Sequence, residues 1–201
     1  MDDISANILF AALLGYGFGS IPFGLLLTKL AGLGDVRAIG SGNIGATNVL
    51  RTGNKGLAAA TLLLDGLKGF VPVWLAGAWF WQDMGWTALF AVLGHCFPVW
   101  LGFKGGKGVA TNAGVCFGLA WPLGLTYAVV WLAVLAATRI SSVAGMAAVV
   151  GAVIAAAVFG WPTFVKVLIL IALLVIWLHR ANIKRLRAGT EPKIGRKKPH
   201  A

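Results

Sequence analysis

The sequence predicts an all-α integral membrane protein with seven transmembrane helices, its N-terminus outside and its C-terminus cytoplasmic. Three observations carry the prediction: 59% of the 201 residues are hydrophobic, only 11% are charged, and almost all of the 17 Lys and Arg residues border apolar stretches. Soluble domains are typically about 45–50% apolar and about 25% charged. One globular core of this size cannot hide so much apolar surface, whereas lipid solvates it on the outward faces of helices. A single multi-span membrane domain over 1–201 follows, because the longest polar stretch, the basic tail 179–201, is too short to fold alone.

The apolar stretches, in order, are 4–30, 57–81, 86–103, 109–121, 122–138, 143–161 and 162–178. A crossing helix needs about 20 residues, with about 17–25 the usual range. The first stretch opens on Asp2 and Asp3 rather than the basic start of a cleaved signal, so it is expected to be retained as a span. The fourth is short and carries Thr111 and Asn112, so hydropathy alone leaves a thin span, a re-entrant segment or half of a helix broken at Pro122 all open. Charge decides between them, because Lys and Arg near span ends accumulate on the cytoplasmic side. If all seven stretches cross, Lys29, Arg37, Arg51, Lys55, Lys104, Lys107, Arg139 and the eight basic residues of the tail all fall inside. Only Lys166 is then left near the outer face, with Asp2, Asp3 and Asp83. If 109–138 crossed once, the tail would be stranded outside.

Within the second stretch, Asp65 and Lys68 stand three residues apart and share a helix face. A lone charge at the bilayer centre costs about 2.5–3.5 kcal/mol on insertion scales. A mutually neutralising pair and a contribution by Lys68 to a polar cavity are both open readings. Cys96 and Cys116 lie in apolar segments without a CxxC or a His/Cys cluster, so they read as small buried hydrophobes. No metal site and no cofactor are expected. The net charge of +11 does not point to nucleic acid either, since the basic residues flank spans instead of forming one patch. Anionic lipid headgroups or a phosphorylated substrate are the partners this pattern fits.

Three polar clusters carry chemistry. The first runs over 40–56 and contains Gly40, Ser41, Gly42, Asn43, Gly45, Asn48 and Arg51. Its G-x-G-x-x-G spacing is a dinucleotide fingerprint only inside a βαβ unit, which this chain does not offer. Its glycines nonetheless let backbone N–H groups converge on an anion. Ser41, Asn43 and Asn48 add neutral hydrogen-bonding groups, and Arg51 adds a planar fork suited to phosphate. A flexible interfacial loop explains the same residues without a ligand. The second cluster, 94–111, places Lys104, Gly105, Gly106, Lys107 and Gly108 before a helix start. It fails as a Walker A loop, since Leu101 replaces the first glycine and Gly108 the magnesium-binding hydroxyl. Free N–H groups at a helix N-terminus still attract anions, and Lys107 supplies a full charge; plain positive-inside anchoring would not require the glycines. The third cluster closes the last span with His179, Asn182 and, further on, Glu191, the only Glu in the chain. His179 and Asn182 share a face if the helix continues, and Glu191 reads as a partner for a neighbouring basic residue.

At these residues a resemblance becomes specific. Ser20-Ile21-Pro22, the loop from Ser41 to Arg51, His95-x-Phe97-Pro98 with Gly105-Gly106-Lys107-Gly108, and His179-x-x-Asn182-Ile183-x-Arg185-Leu186-x-x-Gly189-x-Glu191 resemble the motifs of the bacterial acyl-phosphate:glycerol-3-phosphate acyltransferase family. The resemblance implies a seven-span enzyme of the bacterial inner membrane with its active site on the cytoplasmic face. It implies transfer of a fatty acyl group from acyl phosphate to the sn-1 hydroxyl of glycerol 3-phosphate, giving lysophosphatidic acid and phosphate for phospholipid synthesis. Carried over, it implies Ser41, Arg51, Lys107, His179 and Asn182 as catalytic residues. It implies substrate contacts at Gly40, Gly42, Asn43, Asn48, Lys104, Gly105, Gly106, Gly108 and Lys68, with membrane lipids as neighbours and the oligomeric state left open. The H-x4-D motif of other glycerolipid acyltransferases is missing, since Trp100 and Lys184 stand five residues after His95 and His179. A transporter of an organic phosphate is the alternative from another class, and a structural membrane protein with basic anchoring loops is a third.

The orientation is directly testable. A reporter active only in the periplasm, fused to the C-terminus, is expected to be silent; robust activity would contradict the assigned topology.

Overall fold

The computed structural model describes residues 2–195, with side chains from Asn7 onward. The side chains of Asp2 and Asp3, and the residues Arg196, Lys197 and Lys198, to which charge was assigned, therefore lie outside what is described. Among those described there is no strand, which removes the setting a dinucleotide fingerprint needs. Ten helices follow in order: α1 (Asp2–Gly19), α2 (Phe23–Leu30), α3 (Ala46–Val49), α4 (Lys55–Trp79), α5 (Met84–Cys96), α6 (Val109–Leu119), α7 (Trp121–Thr138), α8 (Ser141–Val158), α9 (Pro162–Leu178) and α10 (Arg180–Arg187). By length and composition, five stretches suit a membrane crossing: 7–30, α4, 81–101, α7 and α8. The pair α9 and α10, bent by 56°, makes a sixth, and α6 is a shorter apolar helix of 11 residues.

The first expected span is thus two helices, because Pro22 has no N–H to continue the ladder. Carbonyls freed in a bilayer must find donors within the protein. Here Trp100 Nε1 donates to Ser20 O at 2.7 Å and Lys68 Nζ to Ile21 O at 2.6 Å. Tyr16 Oη donates to Phe97 O at 2.8 Å, tying the same region to the end of α5. The third expected span, 86–103, is helical only to Cys96; Val99–Leu101 forms a 3-10 turn after Pro98. The basic tail also gains an element, α10, which is capped by the same residue that caps the end of α9: the Ile183 N–H bonds His179 O at 2.9 Å.

The α6–α7 region resolves the ambiguity left by hydropathy at one level. Ala120 between them is fully extended, with φ −164° and ψ 135°. Tyr127 Oη, two turns into α7, donates to Val109 O at the start of α6 at 2.9 Å. Such a bond requires α7 to fold back along α6, so the two are not halves of one helix.

Small residues let the helices approach closely, as is usual where apolar burial gives no preference over lipid. A Cβ on Gly15 or Gly19 of α1 would overlap the backbone of Thr87 and Ala91 in α5. Gly69 of α4 meets Thr111 O, and Gly114 of α6 meets Gly66 O, in the same way. The interior between them is filled by Ala76, Ala88, Ala91, Ala148 and Ala152, all fully buried, while Leu63, Leu132 and Leu173 face outward. Cys96 and Cys116 are free and buried. This packing brings the end of α5, the start of α6 and the α9–α10 bend to one end of the bundle.

Candidate functional site

The first cluster is organised from within by Asn48. Its Oδ1 accepts the Ser41 N–H at 3.0 Å, and its Nδ2 donates to Val36 O at 2.7 Å, Ile39 O at 3.2 Å and Asn43 O at 2.8 Å. With 2% exposure, Asn48 spends its amide on the loop's own backbone. Gly40 and Gly42 have φ +58° and +70°, the left-handed region that a side chain resists. A Cβ at Gly40 would also overlap Asn48 Oδ1 and the Arg51 side chain, so the loop closes with Arg51 laid across Gly40. Ser41 and Arg51 remain exposed, and Asn43 is half-buried.

The second cluster folds back over the end of α5. Gly105 N–H bonds Cys96 O and Gly106 N–H bonds His95 O, both at 3.0 Å. Neither position has room for a Cβ: Gly105 would strike His95 O and Gly106 the His95 ring. Gly108, at φ +81°, caps α6. The first N–H groups of α6 lack an intrahelical acceptor and carry the positive end of its dipole. Lys104 is exposed, whereas Lys107 turns inward and donates to Asn182 Oδ1.

The third cluster fixes that contact. Asn182 Nδ2 donates to Glu191 Oε1 at 2.6 Å; the same oxygen accepts Ser142 Oγ at 2.7 Å, and Arg185 Nε donates to Glu191 Oε2 at 2.7 Å. The Glu191 side chain is only 6% exposed. Burial raises its pKa, but the Ser142, Asn182 and Arg185 hydrogen bonds outweigh it and hold the carboxyl below its usual range. An ionised Glu191 accepts only, so Asn182 must present its NH2 there and its oxygen to Lys107. His179, 3% exposed at the α9–α10 bend, pairs its Nδ1 with Val175 O at 2.7 Å. A carbonyl can only accept, so Nδ1 carries the proton and Nε2 is left as the basic nitrogen.

Burial pushes the Lys107 ammonium down to about 8, aided by repulsion from Arg185 and Arg51 and opposed by Glu191. Burial lowers His179 to about 4, the Val175 bond opposing it and Lys107 adding to it. The site therefore offers one partly desolvated cation, one neutral imidazole and the free N–H groups at the start of α6, with Arg51 within electrostatic reach. No group of three His, Cys, Asp or Glu suited to a metal occurs among the described residues.

Lys107, His179 and Asn182 thus come together, with Arg51 near. Lys68 lies deeper, its Nζ 2.7 Å from Asp65 Oδ1. Glu191 was legible only as a partner for a neighbouring basic residue, which the structure gives as Arg185; its hold on Asn182 was not. Ser142 gave no sequence signal, since a serine at the start of an apolar helix looks ordinary until the tail folds onto it.

Fold and side chains define a helical membrane protein with a glycine-lined, cation-bearing polar cluster at one end of its bundle. The family model described as "Glycerol-3-phosphate acyltransferase" matches residues 9–189. A glycerol-3-phosphate acyltransferase of Erythrobacter litoralis is 71% identical over 97% of this chain and 99% of its own length. One of Mesorhizobium japonicum is 58% identical over 95% and 98%. The glycerol 3-phosphate form of PlsY (YgiH), an integral membrane glycerol 3-phosphate acyltransferase, superposes with a TM-score of 0.89 at 41% identity, covering 94% of this chain and 96% of that one. Its lysophosphatidic acid form gives 0.87 at 40%. The chain belongs to the glycerol-3-phosphate acyltransferase family.

A depressed Lys107 gives a signed pH dependence. Its charge is present below about 8 and is lost as pH rises through that value. Calorimetric affinity for glycerol 3-phosphate is expected to fall about tenfold between about pH 7 and about pH 9.5, and Lys107→Arg to remove the fall. A flat native profile would count against Lys107 as the phosphate ligand.

Proposed function

We propose that this chain transfers a fatty acyl group from acyl phosphate to the sn-1 hydroxyl of glycerol 3-phosphate, releasing lysophosphatidic acid and inorganic phosphate. It does so as one seven-span domain of the bacterial inner membrane, with the active site on the cytoplasmic face. The observation that carries this reading is the junction of Lys107 with Asn182, where a glycine-rich anion loop meets the His179 bend at the end of the bundle. Solved relatives in glycerol 3-phosphate and lysophosphatidic acid forms support the substrate and product.

Acyl phosphate is a mixed anhydride, so its leaving group needs little help. The sn-1 oxygen forms a bond to the acyl carbon, the carbon–oxygen bond to phosphate breaks, and phosphate departs with the electron pair. Most of the rate then comes from holding two phosphate-bearing molecules in line, with cations offsetting their repulsion and the charge developing at the carbonyl. In this assignment, the 105–108 loop and Lys107 hold glycerol 3-phosphate, while Ser41, Arg51, His179 and Asn182 surround the reacting carbonyl. The hydroxyl proton goes to the departing phosphate. The leaving oxygen of orthophosphate is more basic than a phosphate monoester, whose second pKa is about 6, and so takes the proton in preference to His179, which burial holds at about 4. His179 Nε2 then serves as a neutral hydrogen-bonding group. Asn48 acts by shaping the first loop. The transporter reading gains no support, because the clusters gather at one end of the bundle instead of at a midplane site between repeats.

The test is phosphate release by detergent-purified protein. Palmitoyl phosphate is expected to yield phosphate only when glycerol 3-phosphate is added, without metal, and palmitoyl-CoA is expected not to replace it. Ser41→Ala, Arg51→Ala and Lys107→Ala are each expected to lower the rate by about 100-fold or more. Turnover with the CoA ester, or native rates in all three variants, would overturn the assignment.

A further inference from the structure

The turn that carries Lys107 rests on a buried polar layer that none of the steps above uses. Asp65 and Lys68 of α4 and His95 of α5 form it, with side chains 1%, 1% and 4% exposed. Lys68 Nζ stands 2.7 Å from Asp65 Oδ1 and donates to Ile21 O at the α1–α2 break. Asp65 Oδ1 is 3.8 Å from His95 Nδ1, and that nitrogen has no hydrogen-bond partner among the described residues. The other edge of the imidazole lies against Gly106, where a Cβ would overlap Nε2, Cε1 and Cδ2. His95 also supplies the carbonyl that takes the Gly106 N–H. The main chain of the loop therefore sits on the His95 residue, one position before the lysine that reaches Asn182.

Burying an ion pair costs several kcal/mol per ion, and apolar side chains of similar volume commonly serve stability as well or better. Ionisable groups inside a membrane bundle are accordingly a mark of function. The His95 ring lies between this pair and the loop backbone, with one edge packed against Gly106 and Nδ1 facing Asp65 at 3.8 Å.

We propose that His95 is a positioning residue for the glycerol 3-phosphate site, seating the 105–107 turn from beneath, with the Asp65–Lys68 pair fixing the ring from behind. This inference rests on the placement of glycerol 3-phosphate against that loop. Errors of about 1 Å in such placement cost about 100-fold in rate, so a rigid ring under a glycine is a sensitive setting.

A compensation experiment tests it. His95→Ala and Gly106→Ala are each expected to raise the KM for glycerol 3-phosphate about tenfold, leaving the KM for palmitoyl phosphate within about twofold. In the double variant the methyl added at position 106 enters the space vacated by the ring, and the KM is expected to return to within about threefold of native. Because single changes at a buried ion pair risk the fold, Asp65→Leu and Lys68→Met are made together. That paired variant also loses the donor to Ile21 O, so it is expected to fold with a modestly lowered thermal midpoint in detergent while raising the glycerol 3-phosphate KM about fivefold. A combined His95→Ala and Gly106→Ala variant whose defect is the product of the two single defects would overturn the proposal. So would an apolar pair variant with a lowered midpoint and a native KM, which is the signature of a merely structural role. Lys107→Ala is measured alongside. If it leaves the glycerol 3-phosphate KM unchanged, the placement of that substrate fails; if it raises it while the His95 and Gly106 defects multiply, this inference alone fails.

Discussion

Lys107 and Asn182 are 75 residues apart in the chain, and one charge-assisted hydrogen bond joins them. Much else follows from that contact. It brings the glycine loop after α5 to the bend between α9 and α10, and so sets a cation beside a neutral histidine. It also requires Asn182 to face one way only, which the ionised Glu191 enforces through its bond to Nδ2. Glu191 in turn is held by Ser142 and Arg185, so the tail beyond α10 is strapped to the start of α8. The Ile194 N–H to Arg139 O bond of 2.8 Å extends the strap to the α7–α8 turn. A site at the end of a bundle is thereby braced by helices that contribute no reacting group.

The membrane imposes the second constraint. Backbone groups released by a break in a helix have no water to turn to, and the Ser20–Pro22 break is answered by Trp100 and Lys68 instead. Close approach of α1 to α5 and of α4 to α6 depends on glycines facing backbone.

The helical membrane class was legible because composition alone excludes a soluble core. The fold-back of α7 along α6 at Ala120 was not legible from hydropathy, which gives the same signal for a broken helix and a hairpin; Tyr127 supplies the physical tie. The loops around Ser41, Arg51 and Lys107 stood out because glycines next to cations need a reason. Less could be read at Asn48, since an asparagine in a polar loop looks the same whether its amide faces a ligand or its own backbone. Lys68 carried two open readings, and its ion pair with Asp65 and bond to Ile21 O follow the neutralising one. His95 was legible only as a motif residue and Ser142 not at all, because their contacts arise only when the 105–108 loop and the tail fold onto them. Long-range contacts of that kind leave no period or spacing in the sequence.

The central claim is that Asn182, by accepting from Lys107, sets that ammonium for the phosphate of glycerol 3-phosphate, so that the two are energetically coupled. A double-mutant cycle on glycerol 3-phosphate binding, by calorimetry on detergent-purified protein with Lys107→Met and Asn182→Leu, measures this most directly. If they are so coupled, the double variant binds about as weakly as Lys107→Met alone, with a coupling of about 1–3 kcal/mol. Independent, additive losses would contradict the account.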